Sequence, residues 1–149
     1  MNRQILKHRK EHGFTLIEIM VVVVILGILA TLVVPTVIKN VGIARQNKAK
    51  SDISTIESQL EMFRLHAFRY PTTDEGIEAL VNPPGSIDAR ERWKGPYLKK
   101  VPKDPWGRPY RYISPGTRSD IDLYTLGADG QEGGEDENAD IGNWNIDVT

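Results

Sequence analysis

From Leu16 to Ile38 the chain is almost uninterruptedly apolar, and Val21 to Val34 contains nothing more polar than Gly27 and Thr31. A single carboxylate, Glu18, stands near its start. Such a run has no polar face, so it predicts a helix that is apolar all round rather than one lying on a soluble core. Counted from Phe14 to Val34 it reaches about 30 Å at about 1.5 Å per residue, enough for one membrane span. Pro35 cannot donate an intrahelical bond and predicts a kink or loosening, with Gly27 and Gly42 as weaker points.

Beyond Lys39 the pattern changes. Ala49, Ile53, Ile56, Leu60, Phe63 and Ala67 recur at steps of four and three, which places one apolar stripe along a continuing helix. Lys48, Lys50, Asp52, Glu57, Glu61 and Arg64 fall among its solvent-side or partner-facing positions. The Tyr70-Pro71 pair predicts the helix end, because the residue before proline avoids helical geometry. Thr72 and Glu75 have capping-box spacing ahead of a short helix carrying Ile77, Ala79, Leu80 and Val81, which Asn82-Pro83-Pro84-Gly85 stops. Trp93 to Pro109 reads as ordered irregular chain packed by Trp93, Tyr97 and Trp106. Tyr110–Ser114 and Ile121–Leu126 read as short strands around a Pro115-Gly116 turn, giving a small antiparallel sheet. The fold class is therefore α+β, with a long N-terminal helix whose first half is apolar and whose second half is amphipathic.

Charge orients this design. Arg3, Lys7, Arg9 and Lys10 precede the apolar run against one acid, Glu11, so the N-terminus stays cytoplasmic and the head crosses. A secretory signal is cut after its apolar run, next to small residues, whereas here the small residue, Gly13, comes before it. A net charge of -1 over 149 residues gives no basic footprint, so no nucleic-acid partner is expected. There is no cysteine, hence no disulfide, thiolate metal site or Cys nucleophile. Of three histidines, His8 and His12 precede Gly13 and only His66 comes after it. No G-x-S-x-G, P-loop or H-E-x-x-H occurs, and Ser51, Ser54 and Ser58 read as small polar helix positions, so no enzymatic activity is expected.

A carboxylate in a lipid phase needs a partner. On the residues alone Glu18 is either a snorkelling acid on a plain signal anchor or the mate of a cation supplied by a neighbour. The segment Leu126 to Trp144 is the other charged feature: Asp129, Glu132, Glu135, Asp136, Glu137 and Asp140 share a short stretch with Gly130, Gly133 and Gly134. Like charges at this density repel, and a glycine-rich chain loses much entropy on ordering. Hard oxygen ligands on a sharply turning loop suit Ca²⁺, but the spacing is not that of an EF-hand, and a solvated acidic turn fits as well.

A basic leader, then Gly13, Phe14, Thr15, Leu16, Ile17, Glu18 and an apolar helix, resembles the class III signal of type IV pilins and of the pseudopilins of type II secretion. Tyr70-Pro71-Thr72-Thr73-Asp74-Glu75-Gly76, Gly95-Pro96-Tyr97-Leu98, Pro102-Lys103-Asp104-Pro105-Trp106-Gly107 and Gly127-Ala128-Asp129-Gly130 narrow the resemblance to the major, G-type pseudopilins, over about Gly13 to Trp144. The resemblance implies a leader over 1–13, a filament-core or transmembrane helix over 14–38 and a periplasmic head over 39–149. It implies cleavage between Gly13 and Phe14 by a prepilin peptidase, N-methylation of Phe14, and pairing of Glu18 with the Phe14 amine of a neighbouring subunit. It further implies a Ca²⁺ bound by the Leu126 carbonyl, Asp129 and Asp136, with Asp140 either a further ligand or an acid behind the ligands, in place of the disulfide usual in type IV pilins. The expected function is that of a homopolymeric subunit of the pseudopilus, which pushes folded proteins through the outer membrane. Its expected partners are membrane lipid before assembly, minor pseudopilins and an inner-membrane assembly platform. A pilin for adhesion or motility, a minor pseudopilin and an anchored calcium module that never polymerises are the alternatives.

Overall fold

The computed structural model describes residues 13–146, so all but the last residue of the leader expected over 1–13 lies outside the described residues. The elements run α1 (Leu16–Ala67), a 3-10 helix (Ile77–Leu80), α2 (Ile87–Arg92), β1 (Arg111–Ile113), β2 (Asp122–Thr125), a second 3-10 helix (Asp136–Asn138) and β3 (Ile141–Gly142). The chain divides into two compact units, one ending at Lys39 and one beginning at Asn40.

In the first unit the helix exposes apolar side chains in consecutive positions: Val21, Val22, Val23, Val24, Ile25 and Leu26 are each 50–60% exposed. At about 100° per residue, six consecutive positions sample the whole circumference, so no face is covered. Helical structure continues through Pro35. Among the described residues no helix is long and apolar enough to cross a membrane; the side chains at 32 and 34–36, inside the apolar run, are not among those described.

In the second unit all six stripe residues, Ala49 to Ala67, are buried. They pack with Ile77, Leu80, Tyr110, Tyr112, Ile121, Leu123 and Ile141. The sheet is antiparallel in the order β1-β2-β3, with Tyr112 opposite Leu123 and Thr125 opposite Ile141. Trp93, Tyr97 and Trp106 lie against this core as the sequence suggests: the Trp93 indole donates to the Ala79 carbonyl at 2.8 Å and meets the Tyr97 ring edge-on at 5.9 Å.

Three local features differ from expectation. The helix ends at Ala67, before Tyr70-Pro71, because Phe68 turns left-handed (φ 61°) while its N–H still bonds the Arg64 carbonyl at 2.8 Å. That conformation is usually taken by glycine at a helix C-terminus. Neither α2 nor β3 is foreshadowed by the hydrophobic pattern. The Thr72–Glu75 capping box does form, with Thr72 N–H to Glu75 at 2.9 Å and Glu75 N–H to the Thr72 hydroxyl at 3.2 Å, but it precedes a single 3-10 turn in place of the expected helix.

Glu75 also takes a two-pronged contact from Arg69 at 2.6 and 2.7 Å and a 3.0 Å bond from Ser86. The Arg69 contact holds its carboxyl at about 2, against an ordinary 4.5, although burial pushes the other way. Because the folded value is the depressed one, the stabilisation is complete above the ordinary value and disappears as pH falls toward 2. With allowance for the partly exposed guanidinium, about 2 kcal/mol rides on this group. Between pH 5.5 and pH 2.5 the stability read from urea midpoints should therefore fall further for the parent than for Glu75→Gln, by most of that amount.

Candidate functional site

The two ends of the described chain carry the candidate chemistry. At the N-terminal end Gly13 has open space around it and Phe14 is 81% exposed, so the segment Gly13-Phe14 is sterically accessible. Thr15 is the residue before α1, and its hydroxyl accepts the Glu18 N–H at 3.3 Å while Glu18 Oε2 accepts the Thr15 N–H at 3.2 Å. This reciprocal pair is a capping box, and it places an acid in the first helical turn where the backbone N–H groups favour it. The resemblance assigns Glu18 to a neighbour's cation; the Thr15 spacing, not singled out in the sequence, gives it hydrogen-bond partners within one chain.

At the other end, β2 leads into a loop whose backbone is set by glycine. Gly127, Gly130, Gly133 and Gly134 all have positive φ, and a Cβ at Gly127 or at Gly134 would lie 2.6 Å from the Asn138 carbonyl, so the loop closes on itself at two points that require glycine. Asp136 shares the left-handed region at φ 50°. Leu126 is buried and its carbonyl accepts the Gly130 N–H at 3.2 Å. Asp129 Oδ1 accepts the Gln131 N–H at 3.0 Å, and Asp140 Oδ2 accepts the Gly133 N–H at 2.9 Å. Asp140 Oδ1 is buried with no hydrogen-bond partner.

Among the described residues no three His, Cys, Asp or Glu side chains converge in a metal-holding group. Asp129, Asp136 and Asp140 are therefore not gathered into one side-chain cluster, and a cation held by any of them would need backbone carbonyls, such as that of Leu126, as further donors. That donor set suits Ca²⁺, which accepts mixed oxygen shells of flexible geometry. The orphaned Asp140 oxygen fits the same requirement, since a buried acceptor without a donor is costly unless a cation satisfies it.

Several side chains brace this loop that the sequence alone does not single out. Asp104 is buried and accepts the N–H groups of Trp106 and Arg108 at 3.0 and 2.7 Å, fixing the Lys103–Pro109 turn. From that turn the Arg108 guanidinium donates to the carbonyls of Gly127 and Ala128. Opposite, Glu137 Oε1 meets Arg45 and the Trp106 indole N–H, both at 3.2 Å, and Gln46 donates to the Asp136 carbonyl. On β2, Asp122 is buried, which pushes its carboxyl up. Bonds from the Thr117 hydroxyl and the N–H groups of Thr117, Arg118 and Ser119 outweigh that effect and leave it below the usual range. A Cβ at Gly116 would lie 2.7 Å from Asp122 Oδ1, so this corner admits only glycine.

Comparison with known proteins matches the family model described as type II secretion system (T2SS), protein G, over residues 36–144, and the prokaryotic N-terminal methylation motif over residues 8–34. The type II secretion system core protein G of Vibrio cholerae serotype O1 is 57% identical over 140 residues, covering 94% of this chain and 96% of that protein. Its counterpart in Pseudomonas aeruginosa is 56% identical, covering 93% of this chain and 99% of that one. Among solved structures, the major pseudopilin from the type 2 secretion system of enterohaemorrhagic Escherichia coli superposes with a TM-score of 0.63 at 42% identity, over 75% of this chain and 96% of that chain.

Proposed function

The chain belongs to the type II secretion system protein G family, a family of pilin-like structural subunits, and from that premise we propose how its two ends serve the filament. Residues 1–13 are the leader, cut after Gly13 by a prepilin peptidase, and Phe14 becomes the N-methylated first residue of the mature subunit. The helix from Phe14 holds the subunit in the inner membrane as a single span, with the head in the periplasm. Assembly with an inner-membrane platform and minor pseudopilins then transfers the helix from lipid to the apolar helices of neighbouring copies.

The observation that carries this reading is the helix exposed by half or more at consecutive apolar positions from Val21 to Leu26. In water that surface is strongly unfavourable; in lipid, and afterwards among identical helices, it is never hydrated. Repetition of a head-to-tail contact gives an open helical fibre rather than a closed ring. The fibre's growth moves folded proteins across the outer membrane. No step of this cycle needs catalysis by the subunit.

Glu18 has two partners in this cycle. Within one subunit the Thr15 capping box satisfies it; in the filament the Phe14 amine of an adjacent copy becomes its counter-ion, which fixes register because a charge buried among helices requires one. Glu18→Ala should be inserted and cleaved like the parent but yield at least about tenfold less filament, since a lost charge-assisted contact of about 1.5–3 kcal/mol corresponds to that ratio. Leader cleavage is read by mobility and N-terminal mass, and filaments by shearing and electron microscopy. Normal polymer from Glu18→Ala removes the pairing role.

The C-terminal loop is the proposed calcium site, with the Leu126 carbonyl, Asp129 and Asp136 as ligands and Asp140 contributing its free oxygen. Bound Ca²⁺ supplies the positive charge that lets these carboxylates lie together and cross-links the two arms of the loop. The chain's own part is to preset the turns with Gly127, Gly130, Gly133 and Gly134 and to hold the loop against the head through Arg108.

A further inference from the structure

We propose that Glu137 is a positioning residue that clamps the acidic loop onto α1 at Gly42–Gln46, so that order in the loop sets order in the helix where it enters the head. The apolar stripe of α1, continued backward from Ile53 and Ala49, falls on Gln46 and Gly42. From Ala49 onward that stripe is covered by the hydrophobic core. At Gly42, which is buried, the cover is the Glu137 side chain instead: a Cβ there would stand 3.1 Å from Glu137 Oε2 and 3.2 Å from its Cδ.

Glycine inside a helix costs about 1 kcal/mol relative to alanine, and here the close approach of Glu137 accounts for it. The other carboxylate oxygen meets Arg45, on the next turn, and Trp106 on the Lys103–Pro109 turn, each at 3.2 Å. Gln46 reaches the Asp136 carbonyl. The backbone of Glu137 meanwhile closes the loop, its carbonyl accepting the Ala128 N–H at 2.9 Å. One residue thus joins both arms of the loop to two successive turns of the helix.

Without these contacts the bonds that tie Arg45 and Gln46 to the loop are lost, and a helix segment with less tertiary cover opens more readily. Asp136, one residue before Glu137, is a proposed calcium ligand. The ion dependence of the clamp therefore rests on the calcium reading, whereas the clamp itself does not.

Hydrogen exchange read by mass spectrometry on the full chain in detergent micelles tests both. In Glu137→Ala, amides 41–47 should exchange at least tenfold faster while those of 53–63 stay protected, which also shows that the head is folded. Glu137→Gln, which keeps the volume and an acceptor for Trp106, should fall between the two. In the parent, chelation with EDTA should speed exchange at 41–47 and add nothing further in Glu137→Ala, and calorimetry should find Ca²⁺ binding in both proteins. Unchanged exchange at 41–47 in Glu137→Ala overturns the clamp. Equal acceleration by EDTA in parent and variant overturns its role as the link. Absence of Ca²⁺ binding by the parent overturns the calcium reading alone, and the comparison of parent with Glu137→Ala still decides the clamp.

Discussion

Replacing Phe63 by alanine should destabilise the head by about 3–5 kcal/mol, the largest loss expected from any single side chain on the α1 stripe. Phe63 is fully buried, its ring meets Tyr97 at 5.8 Å with a 59° tilt, and it sits between Leu60 and Ala67 on the same face. Removing the ring gives up both its transfer free energy and the packing around the cavity left behind. The surroundings have little freedom to collapse into it, since Tyr97 is also tied to His66 at 2.9 Å and accepts the Lys94 N–H at 3.2 Å. Urea unfolding of the full chain in mild detergent, followed through Trp93 and Trp106 fluorescence, should show a lower midpoint at unchanged slope. Phe68→Ala is the control, since Phe68 is 79% exposed and left-handed; its loss should lie within about 0.5 kcal/mol. A Phe63→Ala midpoint equal to that of Phe68→Ala would contradict the stripe as the head's core.

The difference between these two phenylalanines shows where sequence is informative. Phe63 belongs to a stripe of six positions, and periodicity reports burial because every third or fourth residue of a helix faces the same way. Phe68 comes just after the last stripe position, where chain direction is decided by one backbone torsion that phenylalanine seldom adopts, so the pattern points to Tyr70-Pro71 for a helix end that lies earlier. The third strand is invisible for a related reason: Ile141 and Gly142 are two residues whose pairing with Thr125 and Tyr124 is made by backbone groups common to every sequence. The N-terminal methylation motif is legible because its parts are contiguous, although the Thr15 cap on Glu18 within it is not. In the acidic loop the composition is legible but the bracing is not, since Glu137 and Arg45 stand 92 residues apart. The one local hint is Gly42, a helix-weakening residue on the buried stripe.

Withdrawing calcium should cost the folded head about 2.7 kcal/mol when the starting concentration is about a hundred times the dissociation constant, since a ligand bound only by the native state stabilises by that logarithm. For a head of this size the melting temperature should fall by roughly 10–20 °C on addition of EDTA and recover on addition of excess Ca²⁺. Asp129→Ala, measured in saturating Ca²⁺, should melt near the chelated parent and show little further response to EDTA. It should also fail to assemble. Asp140→Asn tests whether the buried, unpartnered oxygen is a ligand: direct contact with the ion predicts Ca²⁺ binding weaker by about tenfold or more, and a place behind the ligands predicts a smaller loss. Two physical causes separate cleanly here. If Ca²⁺ acts only by relieving repulsion among neighbouring carboxylates, NaCl at about 1 M should substitute for it, because the screening length then shrinks to about 3 Å. If it bridges the Leu126 carbonyl to Asp129 and Asp136 across glycine turns, salt cannot replace it, and neither can Mg²⁺, which demands near-octahedral geometry and gives up water reluctantly. Restoration by NaCl would reduce the loop to a screened acidic turn, whereas restoration by Ca²⁺ alone would make the ion the fastener that a cysteine-free head otherwise lacks.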